Sequence, residues 1–536
     1  MTQYYEFDCG CKVEIVDDKV KDYDGLPSLN IDFDNLNLNC PMVWEVFASG
    51  RTRGVFQLET PLGAHWSKKL QPVCIDEVAA LLSLLRPGTL KAFLGDKNMT
   101  QHYVDRKHGI DDYEEMHESV ADIMKNTYGI MVYQEQSMKI AERLAGFDLK
   151  QADGLRKAIG KKLADLMAKV KIEFIDGCEK TGIVDAEKAH EIFDIIEKSN
   201  RYSFNASHAF GYSIISYWTA WCKAHFPLHF IKAQLTYADK EGVGDFIDDA
   251  KQMGIKVKNP SICLKNQDFK IVDKKVYCGI GNVKGIGESS AISSLETVAR
   301  LQQISGKNIE DFSWKEMLIL VGGEFKKTVF INLIAAGGFS HLNVYRKRMM
   351  FEYNQFIQLT GKNEIPWLVS NINKFESLAD GITQMLEVPK IVASTRINKV
   401  KDIINSLTDK KFTTVDDEEW VANIEEELIG GSLSCSKLDL CDTSCGNMTC
   451  REYNNTNVER RVDIPCEIAR VSEYLPKNGK KMLYVTIKDS TAQTECIIYS
   501  DHIDRLQSLI FKGNTVCATG KRTKKGSLSI TDAVQI

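Results

Sequence analysis

The sequence predicts a multidomain α+β protein: a mainly helical front part, a middle region of small helical hairpins, and a C-terminal five-stranded barrel. Three observations predict it. The 536 residues exceed what one hydrophobic core organises. Between about residue 41 and 265, apolar residues recur at spacings of three and four, the period of helices packed on a core. After about residue 460, five short runs of strand-forming residues are set apart by turn residues.

Each element follows from a local signal. "YEFDCGCKVEIVDD" reads as a strand and a turn. "CIDEVAALLSLLRPG" is a helix stopped by Arg-Pro-Gly. "QADGLRKAIG" is a short amphipathic helix closed by Gly160 as its C′ glycine. Leu163, Leu166, Met167, Val170, Phe174 and Cys178 mark a second helix. "DAEKAHEIFDIIEKSN" marks a third, with Asp185 as N-cap. "DKKVYCGIGNVKGIGESSAISSLETV" is a strand, a Gly-x-Gly turn and a helix. "FKKTVFINLIAAGGFSHLNVYRKRMMFEYNQF" is a helix, a Gly-Gly turn and a helix. The last part holds "VDIPCEIARVSEYL", "KMLYVTIKDS", "TECIIYS", "NTVCATGKRT" and "SLSITDAVQI", with the helix "DHIDRLQSLIF" between the third and fourth strands. Five strands with a helix after the third is OB-fold order. The expected divisions are an irregular or β segment at 1–43, a helical domain at 44–268, a hairpin region at 269–440, a linker at 441–459 and the barrel at 460–536.

Composition narrows the class. Hydrophobic residues are 43% and charged residues 26%, an ordinary globular balance. With 11 prolines and no Gly/Ser-rich tract, the domains are expected to pack together rather than hang on flexible linkers. No run of about 18 apolar residues exists and the first residues lack an apolar signal region, so a soluble, cytoplasmic protein with no membrane partner is expected. The 15 cysteines, an odd number, point to reduced thiols. A net charge of -5 does not advertise nucleic acid, but leaves room for a local basic surface.

Several motifs carry chemistry. "LNIDFDNL" sets Asp32 and Asp34 two apart, on one face if the stretch is a strand, as a metal-holding pair would be. Its place just before the helical run favours acidic loop residues instead. Cys9 and Cys11 form a Cys-x-Cys, but no second pair with zinc spacing lies nearby, so ordinary turn thiols are expected. Cys435, Cys441, Cys445 and Cys450 lack a Cys-x2-Cys knuckle, and no metal site is expected there either. Arg156, Lys157, Lys161 and Lys162 fall within seven residues. They are either a solvated helix end favoured by the dipole or a phosphate-binding cluster. "MVYQEQ" carries Gln134 and Gln136 around Glu135; they share a side if extended and are separated by a helix. "VKGIGE" is a helix-hairpin-helix motif, in which Lys284, Gly285 and Gly287 would let backbone N–H groups and a helix N-terminus face a duplex phosphate.

Five strings in order then resemble one family, the alpha subunit of bacterial DNA polymerase III (the C-family replicative polymerases). They are "GVFQLET" at 54–60, "LLRPGTL" at 84–90, "YVDRKHG" at 103–109, "TYGIMVYQEQSMKIAERLAGFDLKQADGLRKAIGKK" at 127–162 and "YSFNASHAFGYSIISYWTAWCKAHFP" at 202–227. The resemblance implies a fingers domain followed by tandem helix-hairpin-helix, clamp-binding and OB regions. It implies that Arg156, Lys157, Lys161, Lys162, Asn205, Ser207 and His208 face the incoming dNTP. Arg86, Arg106 and Lys107 would contact the DNA backbone, beside Lys284, Gly285 and Gly287, or else be ordinary surface cations. By their residue types, Tyr474, Tyr484 and Tyr499 are either stacking platforms for single-stranded bases, with Lys477, Lys480 and Lys481 for backbone charge, or tyrosines of the barrel core and surface. The family stretch reads Phe-Asn-Lys-Ser-His where this chain has Ala206, so one cation is missing; Arg201 is a candidate to compensate.

In the family, three palm aspartates hold the metals and a PHP domain precedes them; neither is expected in this chain. The resemblance therefore implies the C-terminal part of a split phage- or plasmid-type polymerase. It would bind primer-template DNA and dNTPs, with Mg2+ held by a separate palm- and PHP-bearing chain, and a sliding clamp as a further partner. Two other readings stay open: a non-catalytic DNA-binding or replisome scaffold protein, and a self-sufficient enzyme using Asp32 and Asp34.

Overall fold

The computed structural model describes residues 3–536 apart from 22–25, 161–163, 201, 240–241, 410–413, 457–458, 476–478 and 524–525. Lys161, Lys162, Arg201 and Lys477 lie outside the described residues. The chain divides into two compact units, Met1–Phe230 and Ile231–Ile536.

The first unit opens with an antiparallel sheet of β1 (Tyr4–Glu6), β2 (Lys12–Lys21) and β3 (Pro27–Asn30). Gly10 makes the β1–β2 turn possible, since its φ of 82° lies in the left-handed region that a side chain disfavours. Five helices follow: α1 (Pro41–Ala48), α2 (Pro61–Leu70), α3 (Ile75–Leu84), α4 (Pro87–Leu90) and α5 (Met99–Lys107), with a ribbon of β4 (Phe93–Leu94) and β5 (Lys97–Asn98) before α5. The Arg-Pro-Gly stop behaves as expected: α3 ends at Leu84 and Pro87 becomes the first residue of α4, where its missing N–H costs nothing. Next come α6 (Ala121–Lys125), α7 (Gln134–Ala145), α8 (Leu149–Gly160), α9 (Ala164–Thr181), α10 (Ala186–Asn200) and α11 (Ala206–His225). Two apolar clusters hold the unit. One gathers Trp44, Phe47, Leu81, Tyr103, Tyr217 and Trp221 from α1, α3, α5 and α11. The other gathers Ile140, Leu144, Leu155, Phe174 and Phe193 from α7 to α10. The periodicity that predicted these helices is the periodicity that buries them.

The helix α12 (Pro227–Tyr237) leads into the second unit. There α13 (Val243–Gln252) precedes a small sheet of β6 (Lys256–Lys258), β7 (Lys270–Val272) and β8 (Lys275–Tyr277), in the order β6-β8-β7. The expected hairpins follow: α14 (Glu288–Ser305) after the Gly-rich turn, then α15 (Trp314–Glu316), and α16 (Lys327–Ala335) joined to α17 (Arg346–Phe356) through Gly337 and Gly338. Glu425, from helix Glu418–Ile429, is fully buried at the centre of this region. Its Oε1 accepts from Arg346 Nη2 at 2.8 Å and Asn259 Nδ2 at 2.6 Å, and its Oε2 accepts from the N–H groups of Leu433 and Ser434 at 2.7 and 2.8 Å.

The C-terminal strands are β9 (Val462–Tyr474), β10 (Met482–Lys488), β11 (Gln493–Ile498), β12 (Thr515–Arg522) and β13 (Leu528–Gln535). They close into a barrel in the order β10-β11-β13-β12-β9, with the helix Ser500–Leu506 between β11 and β12. The α+β class and the five-strand barrel are therefore borne out. A short helix in the 441–459 stretch, Cys450–Asn455, buries Cys450 and Tyr453 in the barrel core. Among the described residues, no helix is long and apolar enough to cross a membrane.

Candidate nucleotide and nucleic-acid interface

The N-terminal turn of α11 is a braced, solvent-facing edge. Asn205 is its N-cap, accepting the His208 N–H at 2.9 Å. Glu135, at the start of α7, accepts from Asn205 Nδ2 at 2.7 Å and from the Ala206 N–H at 2.9 Å. A carboxylate here is favoured by the helix dipole. The chain before α11 is held as well, because Phe204 bonds to Val132 and Gln134 through their backbones at 2.9 Å each. Ser207 and His208 are exposed, so His208 is not a core histidine; its ring lies 4.1 Å from that of Tyr212. Two of the first-turn N–H groups are already bonded, so Ser207 and His208 offer side chains rather than a ring of open amides.

Gln134 and Gln136 both fall on α7, so they do not share a side. Gln136 is buried, and its Oε1 accepts the Val132 and Tyr133 N–H groups at 2.8 and 2.9 Å while its Nε2 donates to Thr127 at 2.8 Å. It fixes the turn that aims Glu135 at α11. Sequence reasoning missed Glu135 as the brace of α11, since its partners lie 70 residues on.

The cations of α8 are half engaged. Arg156 reaches Asp153 Oδ1 at 2.7 Å and Lys157 reaches Asp153 Oδ2 at 2.6 Å, one turn back on the same helix. Lys157 and Arg156 together hold the Asp153 carboxyl below the usual range. Both cations stay substantially exposed, and α8 belongs to the second apolar cluster while α11 belongs to the first.

Three cations assigned to DNA turn inward. Arg86 donates to the carbonyls of Ser83 at 2.9 Å and Tyr202 at 2.7 Å, and lies 4.3 Å over the Phe204 ring. Arg106 donates to Tyr128 O at 3.1 Å and lies over Tyr113. Burial pushes both guanidinium groups down from their ordinary value. Lys107 uses all three donors internally, on Leu70 O at 2.9 Å, Gln71 O at 2.6 Å and the buried Glu77 at 2.7 Å. These carbonyls are the orphan acceptors at the end of α2, which is what a lysine there satisfies.

The hairpin and barrel residues face out. Lys284, Gly285 and Gly287 are exposed on either side of the buried Val283 and Ile286. Gly285 has φ of 84°, and Gly287 stands directly before the 18-residue α14. Tyr474 and Tyr484, on adjacent strands β9 and β10, are 48% and 40% exposed, with ring centroids 5.8 Å apart. The barrel thus joins two rings that the sequence keeps ten residues apart.

Asp32 does not fit a metal pair. The strand β3 has ended at Asn30, and Asp32 caps a short 3-10 turn, accepting from Asp34 N at 3.1 Å and Asn35 Nδ2 at 2.7 Å. The loop reading of these acids holds. Cys9 and Cys11, by contrast, gain distant neighbours. Cys40 and His225 bring their Sγ and imidazole to the same place, and all four donor atoms lie within 4.8 Å of one another. No local spacing could signal this, since His225 is 185 residues beyond Cys40.

Comparison with known proteins finds a family match in each unit. Residues 13–182 match the bacterial DNA polymerase III alpha subunit finger domain, and residues 254–349 match the helix-hairpin-helix motif. Over 515 residues, 95% of its length, the chain is 30% identical to the DNA polymerase III subunit alpha of Aquifex aeolicus (strain VF5). Over most of its length the chain is thus similar to the alpha subunit of bacterial DNA polymerase III. It is also 31% identical over 486 residues to the subunit of Vibrio cholerae, and 28% identical over 494 residues to that of Escherichia coli (strain K12), covering 88% and 89% of this chain. The chain spans 39% of the length of each of these relatives and corresponds to their C-terminal region. Within it lie the finger match, the hairpin match and the barrel.

Proposed function

We propose that this chain supplies the fingers, helix-hairpin-helix and OB parts of a replicative DNA polymerase, and that a separate chain supplies the palm. The fingers bind the incoming dNTP, the hairpins and barrel bind primer-template DNA, and the assembly performs template-directed synthesis. The observation that carries the reading is the first turn of α11, where Glu135 and Asn205 brace an exposed edge bearing Ser207 and His208. That edge falls on the stretch that faces the nucleotide in the resemblance. Arg156 and Lys157 add positive charge from α8, to which the phosphates would be drawn in competition with Asp153. Lys284 with the α14 N-terminus, and the Tyr474–Tyr484 pair, suit phosphate and base contacts that do not read sequence.

Mg2+ would belong to carboxylates outside this chain. When bound there it neutralises charge on the attacking and leaving oxygens. Asp32 and Asp34 do not fit that task, because one is spent capping a turn. A sliding clamp is a further proposed partner, on the resemblance alone.

The test is primer extension by the purified chain, with and without a palm-bearing chain, beside a binding assay on primed DNA. The expected result is DNA binding alone and extension only with the palm chain. Robust extension by the chain alone overturns the division of labour. Binding without extension in any combination favours the scaffold reading, for which Ala206, in place of the family's lysine, is the specific support.

A further inference from the structure

The geometry points to a structural zinc site formed by Cys9, Cys11, Cys40 and His225, with the metal tying the N-terminal hairpin and α1 to the end of α11. Three thiol sulfurs and one imidazole nitrogen make a soft, four-donor set, which matches tetrahedral Zn2+. Cys9 Sγ is 3.2 Å and Cys40 Sγ 3.7 Å from His225 Nε2, and all four donors fall within 4.8 Å of one another. A tetrahedral zinc bound at ordinary lengths requires donors about 3.5–3.8 Å apart, so small side-chain adjustments complete the site.

The surroundings are built for it. The Trp221 carbonyl can only accept, and His225 Nδ1 lies 3.0 Å from it; Nδ1 therefore carries the proton and Nε2 presents its lone pair to the sulfurs. The imidazole is held in place by Trp221, stacked at 4.3 Å, and Phe7, edge-on at 4.6 Å. Cys40 stands at the N-cap of α1. Asn37 Nδ2 points at Cys11 Sγ from 3.9 Å. Cys9 and Cys11 flank Gly10, whose left-handed backbone folds the two sulfurs toward one point. Cys11, Cys40 and His225 are 5%, 0% and 8% exposed, so the site is closed and has no open position for substrate. Its role is structural: His225 ends the helix whose first turn carries Asn205, Ser207 and His208, and the metal would fix that helix against the sheet. Among the described residues, no other group of three or more His, Cys, Asp or Glu residues comes as close together.

The test measures metal in the full chain purified under reducing conditions with zinc supplied. The expected result is about one zinc per chain, and intense visible bands of tetrahedral thiolate-bound cobalt after exchange with Co2+. A chelator should lower the thermal midpoint, and added zinc should restore it. Cys9→Ser, at the most accessible ligand, should lose most of the zinc, whereas Cys445→Ser, exposed on the second unit, should keep it. A zinc-free chain that gives only the weak cobalt spectrum of an octahedral ion overturns the site and leaves a thiol–imidazole hydrogen-bonded cluster. Zinc kept by Cys9→Ser and lost by Cys445→Ser overturns it as well. The wild-type cobalt spectrum decides the matter even where a variant fails to fold.

Discussion

Lys107 and Lys284 both sit in motifs that resemble polymerase DNA contacts, yet one is spent inside the fold and the other is exposed. Lys107 saturates its three N–H groups on two carbonyls and the buried Glu77. Replacing it with Met leaves that carboxylate with the Tyr128 hydroxyl and the Val73 N–H but no counter-charge, so Lys107→Met should cost about 3–5 kcal/mol of stability, read from a urea midpoint, while the salt dependence of DNA binding is unchanged. Lys284 is exposed beside the α14 N-terminus. Lys284→Ala should leave stability within about 0.5 kcal/mol. It should reduce the slope of log K against log salt by about one, measured by anisotropy on a duplex. At α11, Asn205→Ala removes the cap and should cost about 1 kcal/mol. If the braced edge binds nucleotide, the same change should raise the KM for dNTP in the assembled enzyme.

At the scale of elements, the barrel and the hairpin region make separate predictions. Tyr474 and Tyr484 are partly exposed, and their rings meet only because β9 pairs with β10, Met482 opposite Tyr474. Removing either ring should weaken single-strand binding by about 1–3 kcal/mol while the barrel core, made by the opposite face of these strands, keeps its melting behaviour. The hairpin region depends on Glu425. Burial pushes this carboxyl up, but the Ser434 hydrogen bond and the Arg346 charge outweigh burial, and the net shift is down. A depressed folded value means that the stabilisation is present above the unfolded value, about 4.3 for glutamate. It is lost as pH falls through the folded one. The second unit should therefore lose stability on acidification below about pH 4.3. Glu425→Gln should flatten that dependence and destabilise the unit at neutral pH, since Arg346 loses its counter-charge; thermal melts at several pH values read both.

At the scale of the whole molecule, the chain comprises two units that carry different parts of one proposed task, nucleotide handling in the first and duplex or single-strand contact in the second. Much of this was legible from residues in sequence. The helix stop at Arg86-Pro87 and the Asp185 cap are local effects, settled within a few residues; so are the glycines of the hairpin turn and the strand alternation after residue 460. The motif strings carried the family resemblance because they preserve local chemistry in order. The sequence alone also read Asp32 and Asp34 as loop acids, and the capping bond of Asp32 agrees. Side-chain commitments across long separations were not legible. Lys107 looks like a surface cation until α2 and α3 bring three acceptors to it, and Arg86 looks like a phosphate contact until Tyr202 and Phe204 fold over it. Glu135 acquires its role from a helix 70 residues away. Cys9 and Cys11 look like turn thiols until Cys40 and His225 arrive beside them. The physical reason is one of range: torsional preference, capping and apolar period act over one or two turns of chain, so the sequence by itself determined the elements, their order and the family resemblance. Which polar groups desolvate together depends on distances between elements, and only the tertiary structure decided which cations are spent inside and which donors gather into a site.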